Sequence, residues 1–425
     1  MSVFSDIEKT PYEIVELGDL LCNLTDGTHH TPSYVDQGVK FISVTNVTEN
    51  QIDFLNTKYI SQEEHLKLLK RCNPQPGDIL LTKIGSIGRA AIIPNEMPEF
   101  SLFVSVALLQ LNERVLPEYL CAYLNTHFAK KQFERHLKGI GVPDLHLENI
   151  QQTLVILPKD IDVQRKLSSI YMRTFDRCHE MLKCANEMME SFENKVAIRY
   201  GIEQDIKAKL CFAIKLKDLD GVIDAKRYMS LKKGKDRRIC DVCSIVSEKV
   251  NVSRYGNKTI DWIRIDDLCN KPLDIDKVRT QSASEVEGSF FVVQEGDILV
   301  ARLGPTILNQ KIVMVRNVER ETIASSEFLV LRCKDGYNPE AVMALLKTLY
   351  YRDLMYSHAR GSTPSRYRLN RNDLLELPFP DIKESQNELA AEANNVRVSV
   401  KKVRMKAERE WEEAKEKFVK ALLGE

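Results

Sequence analysis

Two long stretches of the chain carry mostly apolar residues at intervals of three or four positions. In the first stretch these positions are Leu167, Ile170, Thr174, Cys178, Met181, Ala185, Met188 and Phe192. In the second stretch they are Leu389, Ala393, Val396, Val400, Val403, Ala407, Glu410, Ala414, Phe418 and Ala421. This spacing keeps one stripe of a helix against a partner helix, so it predicts a coiled coil. A long helix packed on its own globular domain is the alternative interpretation.

The sequence that leads into each of these helices is duplicated. Residues 76–85 return as residues 295–304, which is 219 positions later, and residues 41–44 return as residues 262–265. Residues 116–118 return as residues 338–340. Pro158 and Gln164 return as Pro380 and Gln386, which is 222 positions later. Four matches in the same order at nearly one offset indicate an internal repeat.

Each repeat predicts a mixed α/β (α+β) domain that ends in one of the long helices. Each repeat is predicted to begin with a short helix (15–24 and 238–246) and strands (41–47 and 262–268). A Gly-Asp turn then leads into a buried strand (79–82 and 298–301), and a further strand follows (104–111 and 327–332). A helix beginning near Pro117 or Pro339 and a Gly/Pro loop (139–143 and 361–364) complete the domain. We therefore expect a first domain over 1–158, a first helix over 159–201, a second domain over 202–380 and a second helix over 381–425.

Chain order suggests how such a protein is arranged. Helix one leaves domain one and helix two leaves domain two, so an antiparallel pair would carry the two domains at opposite ends. About forty helical residues make a rod of roughly 60 Å. Such a rod could hold two domains over one face of a DNA duplex, whose turn is about 34 Å.

The charge distribution changes this picture more than the total charge does. The chain has 61 basic and 61 acidic residues, so its net charge is zero, which argues mildly against a nucleic-acid ligand. Two windows nevertheless lack acidic residues. The first, between positions 78 and 96, contains Lys83 and Arg89, and the second, between positions 353 and 373, contains Arg360, Arg366, Arg368 and Arg371. Basic windows that lie one in each copy of a repeat favour two phosphate-binding surfaces.

Cellular location is predicted from what the sequence lacks. Residues 1–6 show neither the basic start nor the apolar run of a signal peptide, and no stretch of about eighteen apolar residues occurs. The ten cysteines are scattered. We therefore expect reduced thiols, no membrane segment and a cytoplasmic protein.

Taken together, these features resemble the specificity subunit of type I restriction–modification systems. The resemblance covers about 12–423. It rests on three motifs, which are Asp26-Gly27-Thr28-His29-His30-Thr31-Pro32, Phe41-Ile42, and Pro76-Gly77-Asp78-Ile79-Leu80 with Gly85 and Gly88. It also rests on the Pro-(five residues)-Gln lead into each long helix and on the two-repeat architecture. It implies two target-recognition domains that each read half of a split double-stranded DNA sequence. It also implies helices that dock two methyltransferase subunits, together with restriction/translocase subunits.

The resemblance further implies that this chain is non-catalytic and has no cofactor or metal of its own. S-adenosylmethionine, ATP and Mg²⁺ would belong to the partner subunits. The second repeat departs from the family pattern, because it lacks Asp-Gly-Thr-His, has Glu295 before its Gly-Asp pair, and has Pro305 in the place of Ser86. This divergence fits two domains that read different bases.

Candidate DNA-binding residues lie on polar loops of both repeats, because phosphates are bound by Lys, Arg and loop amides and bases by bidentate side chains. In the first repeat they are Thr28, His29, His30, Lys83, Ser86 and Arg89. In the second repeat they are Arg302, Thr306, Gln310, Arg360, Ser362, Thr363 and Arg366. The two glycines beside Ser86 would let the backbone approach a ligand closely.

Motifs for chemistry on DNA are missing or incomplete. Asn73-Pro74-Gln75-Pro76 lacks the aromatic residue with which an adenine methyltransferase stacks a flipped base, and no Gly-x4-Gly-Lys-Ser/Thr motif occurs. Cys240-x2-Cys243 has no second cysteine pair at zinc-finger spacing, so buried thiols are the better interpretation. Two alternatives stay open, which are a self-contained methyltransferase or nuclease with an unrecognised site, and a coiled-coil adaptor without a DNA role.

Overall fold

The computed structural model describes residues 10–137, 143–202, 237–275 and 278–425. The chain forms two compact units. The first runs to Leu182 and also includes Met405–Glu425, and the second is Lys183–Arg404. Each unit therefore contains part of both long helices. The predicted domain limits, which set the helices apart from the domains, stay a prediction.

The first unit is built on two four-stranded sheets. Its strands are β1 Glu13–Glu16, β2 Leu21–Asp26, β3 Tyr34–Val35, β4 Val39–Ile42, β5 Val47–Thr48, β6 Gln51–Ile52, β7 Lys58–Ile60, β8 Ile79–Thr82, β9 Ala90–Ile92, β10 Phe100–Leu102, β11 Val106–Leu111 and β12 Leu154–Leu157. One sheet has the order β2-β11-β8-β9 and is antiparallel, and the other has the order β10-β4-β7-β3 with a parallel pair between β10 and β4. Strand β8 is buried along its whole length, as its unbroken apolar run predicts.

Short helices pack against the two sheets, the first helix against β10 and the next against β9. They are α1 Gln62–Leu69, α2 Pro117–Leu124, α3 His127–Arg135 and α4 Leu147–Gln151. Helix α2 has proline in its first turn, where the missing N–H leaves no unpaired donor. Its residues pack into one apolar core with β8, β11 and the end of the second long helix.

The second unit repeats the first sheet of this plan in full and the parallel pair of its other sheet. Its strands are β13 Arg237–Arg238, β14 Cys243–Ile245, β15 Lys249–Asn251, β16 Thr259–Ile263, β17 Arg279–Ser282, β18 Ser289–Val293, β19 Ile298–Ala301, β20 Ile312–Met314, β21 Thr322–Ala324, β22 Phe328–Cys333 and β23 Pro378–Phe379. The sheet β14-β22-β19-β20 matches β2-β11-β8-β9, and β16 and β21 form the parallel pair of the five-stranded sheet β15-β18-β21-β16-β17. The shorter helices in the described part of this unit are α6 Ile239–Val242, α7 Gly304–Leu308, α8 Pro339–Leu346, α9 Leu349–His358 and α10 Arg371–Leu375. The predicted duplication is thus a duplication of fold.

The Gly-Asp pair forms the same turn in both units. Gly77 and Gly296 have φ values of +88° and +84°, a conformation that favours glycine. The carboxylate of Asp78 accepts a hydrogen bond from the backbone N–H of Gln75 at 2.9 Å, and Asp297 does the same for Gln294 at 2.9 Å. The Gly-Asp motif therefore forms a turn that directs the chain into the following buried strand, and this structural role is enough to explain it.

The prediction of a short helix at the start of each repeat is wrong. Residues 15–24 are instead parts of β1 and β2 joined by a single 3-10 turn, Leu17–Leu20. Residues 238–246 are the one-turn helix α6 followed by β14. Strand pairing outweighs the helical periodicity here, because β2 and β14 are edge strands that complete their sheets against β11 and β22.

The two long helices are α5 Ile161–Arg199 and α11 Gln386–Leu423. In the first unit, Tyr171 near the start of α5 packs against Phe418 near the end of α11, with ring centroids 5.2 Å apart. In the second unit, Arg199 at the end of α5 pairs with Glu392 at the start of α11 at 2.9 Å. Both contacts require antiparallel helices, as predicted.

The glutamine of each Pro-(five residues)-Gln motif joins a long helix to its domain. The side-chain oxygen of Gln164 accepts from the backbone N–H of Leu116 at 2.8 Å, and that of Gln386 accepts from Asn338 at 2.8 Å. Leu116 and Asn338 are the residues just before α2 and α8. These bonds fix the start of the long helix against the equivalent domain helix in each unit.

The buried stripe of α11 follows the predicted spacing, whereas that of α5 deviates in its first two turns. Leu389, Val400 and Phe418 are buried, and Val396 and Val403 are half-buried. On α5, Phe192 is buried and Leu167 and Met181 are half-buried. Ile170, however, is 58% exposed, whereas its neighbour Tyr171 is 1% exposed. Tyr171 takes the predicted place of Ile170 because the start of α5 packs against the domain core as well as against α11.

Candidate nucleic-acid interface

In both units the candidate residues gather where the central buried strand of the first sheet ends. Lys83 follows β8 and Arg302 follows β19. The backbone N–H of Lys83 donates to Ser105 and its carbonyl accepts from Leu145, both at 2.9 Å. The backbone of Arg302 makes the equivalent bonds with Glu327 at 3.1 Å and Leu369 at 2.8 Å. Three separate segments therefore meet at this position in each unit.

The side chain of Lys83 is buried, which corrects the expectation of a surface lysine. Lys83 is 4% exposed. Its ammonium nitrogen lies 3.5 Å from a carboxylate oxygen of Asp26 and 3.4 Å from one of Asp144. An ammonium placed between two carboxylates is not available to a phosphate, so Lys83 holds the loops together.

The Asp-Gly-Thr-His segment forms a tight loop beside Lys83. Asp26 also binds Arg71 at 2.6 Å and lies 3.3 Å from the ring nitrogen of His29. A Cβ on Gly27 would lie 2.1 Å from the carbonyl oxygen of Leu102, so only glycine fits. Thr28 is 9% exposed, and its hydroxyl lies 3.2 Å from the backbone N–H of His30, which donates to it. Thr28 is thus structural, and the loop presents His29 and His30 to solvent.

A second loop of the first unit presents Ser86 and Arg89. Ser86 is exposed and Arg89 is half-buried. Gly85 and Gly88 on either side of Ser86 have φ values of +83° and +81°. These glycines turn the chain sharply between β8 and β9, so the backbone at Ser86 is open to a ligand.

The equivalent loop of the second unit is a short helix rather than a glycine turn. Helix α7 holds Thr306 half-buried, with its hydroxyl donating to the carbonyl of Leu303 at 2.7 Å. Gln310 is 2% exposed, and its amide donates to the backbone carbonyl of Lys347. Gln310 therefore lies inside the unit, which corrects the expectation that it could read a base.

A loop before α10 brings the remaining second-unit candidates together. Arg360, Ser362, Thr363 and Arg366 are all exposed. The ends of the loop are joined by two hydrogen bonds between the backbones of Arg360 and Arg368, at 2.8 and 3.0 Å. Gly361 packs so closely that a Cβ would lie 2.5 Å from the carbonyl oxygen of Arg366. The equivalent loop of the first unit, predicted over 139–143, lies outside the described residues up to position 142.

The two units differ in electrostatic balance at this site. In the first unit, Lys83 and Arg71 are matched by Asp26 and Asp144. In the second unit, Arg368 lies 3.2 Å from Glu327, and the guanidinium of Arg360 lies 4.0 Å from Asp373. Exposed Arg366 and half-buried Arg302 add further positive charge there. The Nε atom of Arg302 is buried without a hydrogen-bond partner among the described residues.

Sequence reasoning missed Asp26, Arg71, Asp144 and Arg368 as members of these clusters. Arg71 follows α1, 45 positions from Asp26, and nothing in the sequence links the two. Arg368 stands in the second acid-free window, and the two repeats place it like Asp144. Ile84, which follows Lys83, is bridged to Asp144, and Leu303, which follows Arg302, is bridged to Arg368.

Over the described ranges of the chain, His, Cys, Asp and Glu side chains form no cluster of three or more suited to a metal ion. Within the same ranges no helix combines the length and apolar character needed to cross a bilayer.

Comparison with known proteins shows which family the first part of the chain resembles. Residues 9–190 match the family model of the type I restriction modification DNA specificity domain. Over 176 residues, the chain is 23% identical to the type I restriction enzyme EcoBI specificity subunit of Escherichia coli. That stretch is 41% of this chain and 35% of the relative, so the chain matches about a third of the length of this curated protein.

Over residues 9–190, which are less than half of the chain, the resemblance to type I restriction modification DNA specificity domains seen in the sequence is confirmed. The family and the relative are both named for specificity. Both names agree with the prediction of a specificity subunit rather than a catalytic subunit.

Solved structures of specificity subunits are also similar to this chain. The HsdS subunit from Thermoanaerobacter tengcongensis is 15% identical, with a TM-score of 0.33 and coverage of 97% of this chain and 95% of that one. The S subunit of a type I restriction-modification system from M. genitalium is 10% identical, with a TM-score of 0.44 and coverage of 97% and 96%.

Proposed function

We propose that this chain is the sequence-specific DNA-binding subunit of a type I restriction–modification enzyme, and that each unit reads one half of a bipartite target. The observation that carries the proposal is that equivalent strand ends, after β8 and β19, present loops of the same origin but of different chemistry. A shared framework with different exposed side chains is what two readers of different sequences need.

The chemistry of each loop suggests how it contacts DNA. In the second unit Arg366 is exposed on a loop with Ser362 and Thr363, and an arginine can bind the O6 and N7 atoms of guanine with two hydrogen bonds. In the first unit His29 is exposed on the Asp-Gly-Thr-His loop, and Arg89 is half-buried at the end of the loop that turns at Ser86. Hydroxyls, loop amides and cations of this kind also bind phosphates.

The partners follow from the same proposal. Two methyltransferase subunits would dock on α5 and α11, and restriction/translocase subunits would complete the enzyme. S-adenosylmethionine, ATP and Mg²⁺ would be bound by those partners. The complex would act in the cytoplasm, where bacterial DNA is present. The name of the curated relative, a restriction enzyme specificity subunit, supports this assignment.

Methylation mapping tests the proposal directly. Arg89→Ala and Arg366→Ala variants are expressed with the partner subunits in a host without its own system, and methylated adenines are located by sequencing. We expect Arg89→Ala to relax one half-site and Arg366→Ala to relax the other, with each variant as the control for its counterpart.

Equal damage to both half-sites would refute the two-reader model. Methylation or cleavage by the purified chain alone would favour a self-contained enzyme instead, and unchanged methylation in both variants would favour an adaptor.

A further inference from the structure

Two cysteines of the second unit face each other across neighbouring strands. Cys243 on β14 pairs with Cys333 on β22, and their sulfur atoms are 3.6 Å apart. Cys243 is 1% exposed, whereas Cys333 is half-buried. The two thiols are 90 positions apart in the chain, so sheet pairing alone brings them together.

The hydrogen bonds on both sides show which type of strand pair this is. The N–H of Lys334 donates to the carbonyl of Val242, and the N–H of Val246 donates to the carbonyl of Val330, both at 2.9 Å. Since hydrogen-bonded and non-hydrogen-bonded pairs alternate along antiparallel strands, Cys243 and Cys333 form a non-hydrogen-bonded pair. Such pairs have Cα atoms about 4.5 Å apart, which is within the range that a disulfide spans without moving the backbone.

We propose that Cys243 and Cys333 are a reversible thiol–disulfide site, oxidised by small-molecule disulfides such as oxidised glutathione. The thiolate of Cys333 attacks one sulfur of the small disulfide, the S–S bond breaks, and one molecule of the small thiol leaves. Cys243 then loses its proton and attacks the Cys333 sulfur, and the second molecule of the small thiol leaves. Two protein thiols are oxidised and one small disulfide is reduced to two thiols.

The order of attack follows from the environments of the two sulfurs. Cys333 is the more exposed, so a small disulfide reaches it first. The pKa of the Cys243 thiol is raised by the hydrogen bond with Cys333 and by burial, so Cys243 is a poor first nucleophile. Once Cys333 carries the mixed disulfide, it can no longer compete for negative charge, and the remaining step is intramolecular.

The first unit provides an internal comparison. The residue equivalent to Cys243 is Cys22 on β2, but Leu111 stands where the second unit has Cys333. Cys22 is exposed, and its thiol lies 3.4 Å from the carbonyl oxygen of Leu111. A disulfide is therefore possible across β14 and β22 and impossible at the related place in the first unit.

A disulfide between Cys243 and Cys333 would close a covalent loop of the chain that contains an entire sheet of the second unit. Residues 243–333 contain all strands of the sheet β15-β18-β21-β16-β17. Cross-linking the ends of a long segment removes conformational freedom from the unfolded chain and so stabilises the fold. The bond lies at the end of β22 far from Ala301 and Arg302, because Ala301 pairs with Phe328 at the other end. Oxidation is therefore expected to protect the unit without altering its loops.

Peptide mapping of the full-length chain tests this site. The reduced protein is incubated with oxidised glutathione, remaining thiols are alkylated, and a non-reducing digest is analysed by mass spectrometry. We expect a Cys243–Cys333 cross-link that dithiothreitol reverses, and a melting temperature of the second unit raised by on the order of 5–10 °C. Cys240→Ser, which leaves both partners in place, should retain the cross-link and the shift, and Cys333→Ser should lose both.

Three results would overturn the proposal. They are a stable glutathione adduct on Cys333 without a cross-link, a bond between Cys240 and Cys243 instead, or unreacted thiols at Cys243 and Cys333 while Cys22 is modified. Cys243→Ala serves as a second variant, because alanine is apolar and small enough for this buried strand position. It should leave Cys333 glutathionylated and the melting temperature unchanged by oxidant.

Discussion

A buried acid and a buried base lie close together in the second unit. Glu193 on α5 is 5% exposed and Lys347 after α8 is 6% exposed. Burial raises the pKa of Glu193 to about 7, although Lys347, Lys271 and Gln310 act in the opposite direction and Glu190 adds to the rise. Burial likewise lowers the pKa of Lys347 to about 8. Glu193 is negatively charged while Lys347 is positively charged only in a narrow pH range, between about 7 and about 8.

The Glu193 carboxyl makes the stability of the second unit depend on pH. Its pKa in the folded protein, about 7, lies above the ordinary value of 4.5, so the folded state binds the proton more tightly. Stability therefore falls as the pH rises from about 4.5 to about 7, by on the order of a few kcal/mol. We expect Glu193→Gln to flatten this dependence, measured by thermal unfolding followed through Trp262 in a Trp411→Phe background.

Glu190→Gln is the matched control for that measurement. Glu190 stands on the same helix with an exposed side chain, 3.1 Å from Lys271. If the control flattens the pH dependence as strongly as Glu193→Gln does, the burial of Glu193 is not its cause.

Lys83 offers a contrast between a buried cation and the exposed Arg366, for which we propose contact with DNA. Lys83→Met should destabilise the first unit by about 1–3 kcal/mol, because buried Asp26 keeps Arg71 but loses a second charge partner. It should leave the salt dependence of DNA binding unchanged, whereas Arg366→Ala should reduce the slope by about one. Urea denaturation and binding titrations at several salt concentrations measure the two effects. A reduced slope in Lys83→Met would show that Lys83 reaches phosphate.

Single residues were the hardest part of the site to predict. The loops at the strand ends follow from glycine, proline and the acid-free windows, and the structure does expose His29, Ser86 and Arg366 on them. Lys83 and Gln310 could not be judged, because their partners Asp144 and Lys347 come from distant segments that only the fold brings near. A charge count along the chain cannot show which cations are already neutralised.

At the scale of elements, the adjacent pair Ile170 and Tyr171 shows which face of α5 is packed. Tyr171→Ala should destabilise the first unit by about 3–5 kcal/mol, because its ring is buried against Trp411 and Phe418. Ile170→Ala, the control at a position 58% exposed, should change stability by at most about 0.5 kcal/mol. Denaturation followed by the fluorescence of Trp411, with Trp262→Phe as background, reports on this unit. Similar losses for both variants would contradict the packing described.

The long helices also show why periodicity predicts one helix better than the other. The apolar stripe of α11 is narrow, and its predicted positions are buried or half-buried along the whole helix. The start of α5 has two apolar neighbours, since Tyr171 belongs to the domain core that also contains Tyr119. A helix with two partners carries apolar residues on a wider face, and a single four-three stripe can be drawn through it in more than one way. The two interpretations of the pattern, a helix pair and a domain-packed helix, both apply there.

At the scale of the whole molecule, the helices offer a test of how spacing between half-sites is set. Buried Tyr171, Cys178, Ala185 and Phe192 follow one another at intervals of seven, so removing seven residues preserves the stripe. Deleting 179–185 from α5 and 400–406 from α11 shortens the pair by about 10 Å, which equals roughly three base pairs. We expect the spacer in the methylated sites to shrink accordingly. An intact complex that methylates sites with the original spacer would show that the helices do not set the distance.

The duplication was the feature most readily predicted, and it extends beyond the matched motifs. The first sheet has the same strand order in both units although few residues between the motifs agree, because the turns at Gly77 and Gly296 and the caps at Gln164 and Gln386 fix the same geometry. The exposed loops are free of that constraint. The repeated residues therefore carry the shared part of the fold, and the residues that do not repeat make the exposed loops of the two units different.

The inclusion of Met405–Glu425 in the first unit has a consequence for synthesis. The core of that unit needs Phe418 and Leu422, whereas the second unit is continuous from Lys183 to Arg404. On the ribosome, the part of the first unit that ends at Leu182 emerges early but keeps an open apolar surface throughout the translation of the second. The unit made second is thus the first to be completed, and the unit begun first is the last.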